Sequence, residues 1–220
     1  MPAEISRETI VAWLHRYAAD VAENRDRLTD LDGPIGDHDH GINMNRGFRA
    51  VAESLADVGD ASIESVLKNV GLTLIKTVGG ASGPMYGTVF LRMAAATSGK
   101  ASLTAQDVGE MLRAGRQGIV DRGKAEVGDA TMLDAWDPAV AAYDESVNAG
   151  KDLPAALEVA DEAAEQGAQS TVPLVARKGR ASYLGERGIG HQDPGATSSA
   201  MLFHALRISV QDDTTSNKKG

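Results

Sequence analysis

The segment "ETIVAWLHRYAADV", residues 8–21, carries apolar side chains at intervals of three and four residues. The positions are Ile10, Trp13, Leu14, Tyr17 and Val21. This spacing places them on one face of an α-helix, because a helical turn takes about 3.6 residues. Ser6 precedes the pattern at the place of a helix N-cap. The segment therefore predicts an amphipathic helix that packs against a core.

The same spacing recurs along the rest of the chain. It is found within residues 44–55, 63–74, 85–96, 104–112, 133–147, 152–170 and 196–210. The alternating β-branched segments that are typical of strands are absent from the sequence. The sequence thus predicts an all-α fold, with eight helices in a single domain that covers residues 1–210. The polar stretch 211–220 is predicted to be a flexible, frayed tail.

The composition excludes several classes of function. The formal net charge of −9 and the pI near 5.0 disfavour a nucleic-acid-binding surface, which needs clustered Lys and Arg. Thiol catalysis, disulfides and zinc-thiolate sites are excluded because the sequence has no cysteine. We find no signal-peptide pattern and no apolar run long enough to cross a membrane, so the expectation is a cytoplasmic protein.

Four of the connections between predicted helices are rich in glycine and polar residues. They contain "DGPIGDHDHG", "VGGASGPMYG", "DRGKAEVGDATM" and "RKGRASYLGERGIGHQDPG". A helical bundle needs only short links, so long glycine-bearing connections favour a ligand site. If successive helices are antiparallel, alternate connections share one end of the bundle, and these four are the alternate ones. The sequence predicts a site at that end.

The first of these connections holds three carboxylates. Asp37 and Asp39 are two residues apart, so an extended backbone would point both side chains the same way, and Asp32 can fold back to join them. Three converging carboxylates need a cation, and oxygen ligands without thiolates favour Mg²⁺ or Ca²⁺. An EF-hand is excluded, because Phe48 stands where its final Glu would be. Helix capping by the aspartates is the alternative.

The two histidines of this connection would point away from the carboxylates in an extended chain. His38 and His40 are therefore interpreted as hydrogen-bonding or surface histidines rather than as metal ligands. A catalytic His/Asp pair also lacks an evident nucleophile.

The other three connections suit an anion. Small residues in "GGASGPMYG", 79–87, would let backbone N–H groups approach a phosphate, although a tight helix-to-helix turn explains the run equally well. The basic block 177–198 offers countercharge, or else is a basic surface loop, and "GDATM" could be a helix cap alone. A Walker A motif fails because Ala125 replaces its Ser or Thr, and the dinucleotide motif G-x-G-x-x-G is also missed. Together the connections favour a Mg-nucleotide.

Four segments resemble the signature blocks of the DhaL family, the nucleotide-binding subunits of phosphotransferase-system-dependent dihydroxyacetone kinases. They are "IGDHDHGINMNRGF", "VGGASGPMYGT", "RGKAEVGDATM" and "RKGRASYLGERGIGHQDPGATS". The resemblance implies an eight-helix antiparallel barrel that retains ADP and two Mg²⁺ ions at one end. It implies that a phosphohistidine on a partner subunit, DhaM, converts the ADP to ATP. The phosphoryl group then passes to dihydroxyacetone on a second partner, DhaK, which gives glycerone phosphate.

The resemblance also implies the site residues. Asp32, Asp37 and Asp39 would hold the Mg²⁺ ions, and Arg180 would stabilise phosphate charge. No residue is assigned a covalent catalytic role. The positions that would bind the nucleotide are His40, Gly41, Ile42, Asn43, Ala81, Ser82, Gly123, Met132, Arg180, Asp193, Pro194 and Gly195.

Three residues depart from the family pattern. His38 stands where Ala or Gly is usual, Ala130 replaces a Lys near the nucleotide, and Gly188 replaces a Ser. Two alternatives remain open for the function: a subunit of an ATP-dependent short-ketose kinase, and a regulatory module that docks on a transcription regulator. The sequence also leaves a homodimer open.

Overall fold

The computed structural model describes the backbone of residues 4–217 and the side chains of residues 4–215. Within that range it contains nine α-helices, one 3-10 segment and no strand, which confirms the all-α prediction. The helices are α1 (Arg7–Glu23), α2 (Arg25–Asp32), α3 (His40–Ser54), α4 (Ile63–Thr77), α5 (Ser82–Ala96), α6 (Ala105–Gly123), α7 (Met132–Asn148), α8 (Leu153–Ser170) and α9 (Pro194–Asn217), and the 3-10 segment is Arg180–Gly188.

The long helices pack in chain order. Helix α1 contacts α3, each helix from α3 to α8 contacts the next, and α9 returns to α1, so the neighbours close a ring. The predicted apolar face of α1 is buried, and Tyr17 meets Phe48 of α3 edge-to-face at a ring-centroid distance of 4.6 Å. On the other side of the ring, Trp136 of α7 meets Phe203 of α9 at 4.8 Å. The regular barrel stays a prediction.

Two segments differ from the expectation. Helix α2 was not predicted, and the chain turns into it at Asn24, whose side-chain amide donates to Asp20 O at 2.9 Å. Helix α9 runs to Asn217, well into the stretch 211–220 for which a frayed tail is expected. Arg16 Nη2 of α1 lies 2.6 Å from Asp212 Oδ2, so this part of α9 packs on α1. Residues 218–220 lie outside the described residues.

Over the described residues, no helix is both long enough and apolar enough to cross a membrane.

Candidate functional site

The three predicted carboxylates meet between α2 and α3. Oxygen atoms of Asp32, Asp37 and Asp39 all lie within 4.8 Å of one another. Asp32, the last residue of α2, is buried at 9% exposure, whereas the other two face solvent to a greater degree. Gly36 makes the approach possible, because a Cβ atom there would overlap the Asp32 carboxylate. The sequence thus folds so that three hard oxygen ligands converge.

The sequence predicts an extended backbone between Asp37 and Asp39, but the structure has a turn there. His38, which lies between Asp37 and Asp39, has a φ of +61° in the left-handed region. This conformation is costly for a side chain other than glycine. It turns the chain sharply, and the carboxylates converge through that turn rather than through strand-like alternation. His38 Nε2 lies 3.5 Å from Asp30 Oδ1, outside the cluster.

Asp32 also caps α3. Its Oδ2 accepts the N–H of Asp39 at 2.9 Å and that of His40 at 3.3 Å. The capping alternative is therefore correct for Asp32, but it coexists with the cluster, because the carboxylate's other oxygen makes none of these bonds. Capping from seven residues away fixes the start of α3 relative to the end of α2.

His40 is a buried hydrogen-bonded histidine, as interpreted from the sequence. Its Nε2 lies 2.9 Å from Ser198 Oγ of α9, and its Nδ1 lies 3.2 Å from Ser82 Oγ of α5. Burial lowers the pKa of His40 to about 4, although the nearby carboxylates of Asp32 and Asp39 act in the opposite direction. The imidazole is therefore neutral at pH 7 and joins three helices at the site.

A cleft of about 490 Å³ opens beside this junction. Its lining comes from the start of α5, the α6–α7 connection and the segment before α9, which are three of the four glycine-bearing connections. The predicted nucleotide-binding residues that line it are Ala81, Ser82, Gly123, Met132, Asp193 and Gly195. Met85 and Ile119 add apolar surface. Ser82, which lines the cleft, also contacts His40 of the first connection, so the four connections share one end of the bundle, which we call the rim.

The start of α5 is open towards the cleft. Its N-cap residue, Ala81, has no side chain that can accept a hydrogen bond from the first turn. A Cβ on Gly83 would overlap Val78 O, so glycine allows the tight return of the chain from α4. The tight-turn reading and the anion-site reading of "GGASG" are thus compatible. The uncapped N–H groups and the positive helix end favour an anion here.

The α6–α7 connection is closed by its own side chains. Thr131 and Asp134 form a reciprocal capping box at the start of α7, so the helix-cap reading of "GDATM" is correct. Asp134 Oδ1 also accepts the N–H of Gly128 at 2.5 Å. Ala130, one of the three departures named from the sequence, lines the cleft and has a φ of +55°.

Asp193 stands at the start of α9. Its Oδ2 accepts the N–H of Ala196 at 2.6 Å, and its own N–H donates to Thr171 Oγ1 at 3.0 Å. Burial raises the pKa of Asp193 to about 7, and the charges of Asp134 and Asp32 add to that increase. The negative charge that gathers at the rim makes a cation the natural complement of the carboxylate cluster.

Arg180 reaches the acidic cluster. Its Nη2 lies 2.9 Å from Asp37 Oδ2, so the residue expected to contact phosphate is paired with an expected metal ligand. Both side chains are exposed, at 64% and 34%. An exposed ion pair of this kind is weak and easily exchanged for other partners.

Two other predicted residues lie away from the cleft. Gly41 packs against α2, where a Cβ would overlap Arg25 O. The side chain of Ile42 is 49% exposed on the outer side of α3, because the helix turns it away from its neighbour His40. Their assignment to the nucleotide stays a prediction, as does that of Asn43 and Pro194.

Sequence reasoning missed several residues of the site, among them Lys178, Tyr86 and Ser198. Lys178 lines the cleft, and only its place in the basic run 177–180 could have indicated this. Tyr86 and Ser198 are buried and linked, with Tyr86 Oη 2.7 Å from Ser198 Oγ. No sequence signal joins residues so far apart in the chain.

The site fits the groups that the sequence implies. The three carboxylates supply hard oxygen ligands at mutual distances that suit Mg²⁺ coordination. The cleft places apolar side chains beside an uncapped helix start, which suits a purine and a phosphate group respectively.

Comparison with known proteins gives one family. Residues 34–207 match the model of the DAK2 domain. The chain is 50% identical over 208 residues to the ADP-binding subunit DhaL of the PEP-dependent dihydroxyacetone kinase of Escherichia coli, covering 94% of this chain and 99% of that protein. A DhaL subunit of Listeria innocua is 42% identical over 200 residues, covering 91% and 95%. The dihydroxyacetone kinase of C. freundii, crystallised with AMP-PNP and Mg²⁺, superposes with a TM-score of 0.71 at 26% identity, covering 95% of this chain and 35% of that one.

Proposed function

The chain belongs to the DAK2-domain family, among the ADP-binding DhaL subunits of PEP-dependent dihydroxyacetone kinases, and on this premise we propose that it retains ADP or ATP with two Mg²⁺ ions as a coenzyme. The observation that carries the proposal is the convergence of Asp32, Asp37 and Asp39 beside the cleft at the uncapped start of α5. When bound, the nucleotide would supply a phosphoryl carrier between the phosphohistidine subunit DhaM and dihydroxyacetone on DhaK, and Mg²⁺ would neutralise phosphate charge.

The residues of this chain would position the ligand and neutralise its charge rather than react with it covalently. Ala81 and Ser82 at the start of α5 line the cleft, so the uncapped N–H groups of this turn could donate to phosphate oxygens there. Asp32, held by two backbone donors, keeps one carboxylate oxygen aimed at the cluster. His40 is neutral and fixes α3, α5 and α9 in register. Phosphoryl transfer needs mainly such positioning, so the absence of a nucleophile among these residues is consistent with the proposal.

Exchange of the Arg180 ion pair would adapt the site to its ligand. Metal binding at Asp37 would compete with the guanidinium, which is then able to turn towards phosphate charge. This single side chain would thus balance the carboxylates in one state and the phosphates in the other.

The content of nucleotide tests the proposal directly. The purified chain is denatured, and the released small molecules are separated and quantified; about one ADP or ATP per chain is the expected result. A nucleotide-free protein that also fails to bind added Mg-ADP would refute the proposal.

A second measurement separates this function from an ATP-dependent kinase. The chain is combined with the dihydroxyacetone-binding subunit, and glycerone phosphate is measured with and without the phosphohistidine donor. Formation should require the donor. Steady formation from excess ATP alone would show that the nucleotide exchanges freely.

A further inference from the structure

The outer sides of α3 and α4 form a basic surface beside the rim, which we call the α3–α4 face. It is defined by Ile42, Arg46, Arg49, Lys68, Leu72, Ile75 and Lys76. The acidic residues at its edges, Asp26 and Glu53, pair with Arg25 and Arg49. The face is therefore basic in a chain whose formal net charge is −9. The proposed function does not use it.

Apolar side chains are exposed on the same face. Ile42, Leu72 and Ile75 are 49%, 42% and 44% exposed. Among the described residues most of the other large apolar side chains with comparable exposure lie in the rim connections. Exposed apolar residues beside arginines are characteristic of protein–protein interfaces, which are enriched in Arg. The composition of the face thus indicates a protein partner.

Two hollows give the face its shape. One, of about 470 Å³, runs between α3 and the end of α4 as far as Gly79. The other, of about 410 Å³, lies between α2 and α3 and reaches Ile42. Arg46 and Arg49 line both hollows and form the ridge between them. A partner can insert side chains on both sides of this ridge.

The face is continuous with the candidate phosphate-binding loop. Arg46 Nε donates to Thr77 O at 2.7 Å, and its Nη2 donates to Asn43 Oδ1 at 2.7 Å. A Cβ atom on Gly79 would lie 2.9 Å from the same Nη2 atom. A protein that binds the ridge would therefore lie next to the loop that leads into α5 at the cleft.

We propose that the α3–α4 face docks the phosphohistidine-bearing donor through an acidic surface of that protein. The inference rests on the proposed function. The choice of the donor as the partner is based on charge complementarity with the basic face. A phosphohistidine carries negative charge that the donor loses on transfer, whereas a ketose on the acceptor is neutral. A basic face beside the phosphate loop attracts the charged donor and holds the spent donor less strongly. Two copies of this chain, each with a net charge of −9, repel one another.

The test uses the ADP-loaded chain and the isolated, phosphorylated donor subunit. The second-order rate constant for phosphoryl transfer to the chain is measured by rapid quench at several salt concentrations. Arg49→Glu/Lys76→Glu should lower this constant about 10-fold at low salt, and the difference should shrink as salt rises. Lys76→Glu alone should have a smaller effect. Lys151→Glu, in the α7–α8 connection at the other end, has the same charge change as Lys76→Glu and is the control for that single variant.

Two further measurements show which step the double variant impairs. ADP content per chain and the rate of transfer from the ATP-loaded chain to the acceptor subunit should be unchanged in the double variant. A loss in Lys151→Glu equal to that in Lys76→Glu, an unchanged donor rate in the double variant, or a loss confined to the acceptor step would each overturn the inference. A concentration-dependent dimer that the double variant abolishes would assign the face to a second copy instead. Absence of ADP from the unmodified chain would refute the proposed function itself.

Discussion

The two ends of the bundle treat their helix starts differently. At the end opposite the rim, α1, α4, α6 and α8 each begin at a residue whose side chain accepts a hydrogen bond from the first turn: Ser6, Ser62, Thr104 and Asp152. At the rim, α7 and α9 also begin at capping side chains, Thr131 and Asp193, but α5 begins without such a cap, and α3 receives its cap from a distant carboxylate. Locally satisfied caps stabilise the fold. Helix starts left open, or capped by a candidate metal ligand, remain available to a ligand.

The largest expected effect is a loss of nucleotide binding on replacing a carboxylate at the rim, but not on replacing one at the opposite end. Asp37→Asn should abolish nucleotide retention, with affinity for Mg-ADP lower by on the order of 100-fold, because even residues that only orient metal ligands contribute 10- to 100-fold. Its helical content should not change, since Asp37 is exposed. The matched control is Asp60→Asn in the α3–α4 connection, also exposed. Released ADP per chain is the measurement, and full ADP content in Asp37→Asn would show that this carboxylate is not a required ligand.

The pH dependence of stability should depend on His40. Burial lowers its pKa to about 4 from the ordinary value of 6.5, so the unfolded chain binds a proton between these pH values while the folded chain does not. The stabilisation is present above pH 6.5 and is lost as pH falls towards 4, by about 3 kcal/mol.

His40→Gln should lack this contribution, so the difference in unfolding free energy between the protein and the variant should narrow across that window. Chemical denaturation at a series of pH values measures it. Asp193, whose pKa is raised to about 7, makes the unfolding free energy change with pH in the opposite direction. Both proteins contain Asp193, so its contribution cancels in the difference. A difference that stays constant from pH 7 to pH 4 would contradict the assignment; exposed His15→Gln is the control.

The two capping boxes allow a matched comparison of moderate size. Thr104 and Thr131 are both half-buried N-cap residues, each with an aspartate at the third helical position, but only Thr131 lines the cleft. Either Thr→Ala change should lower the free energy of unfolding by about 1 kcal/mol. Only Thr131→Ala should also weaken ADP retention. If both variants, or neither, lose nucleotide, then the division between the two ends is wrong.

The sequence carried most of the fold because helical periodicity is a local signal. Helix α2 was not predicted because "RDRLTDLD" is short and polar, with too few turns to establish a helical period. The carboxylate cluster was found from spacing and composition, but for the wrong backbone reason, since the left-handed turn at His38 depends on its surroundings. The contact of His40 with Ser198 joins residues on α3 and α9, which only tertiary packing brings together.

The smallest expected effect on stability concerns Arg180. Its ion pair with Asp37 is exposed, so Arg180→Gln should change the unfolding free energy of the nucleotide-free chain by less than about 1 kcal/mol. The same variant should nevertheless release ADP faster, because the guanidinium would otherwise offset phosphate charge. Arg187→Gln, in the same 3-10 segment, is the control. Dissociation of a fluorescent ADP analogue measures the rate. Equal rates in the two variants would mean that Arg180 serves the carboxylates alone, and the rim would then rely on Lys178 and the start of α5 for phosphate.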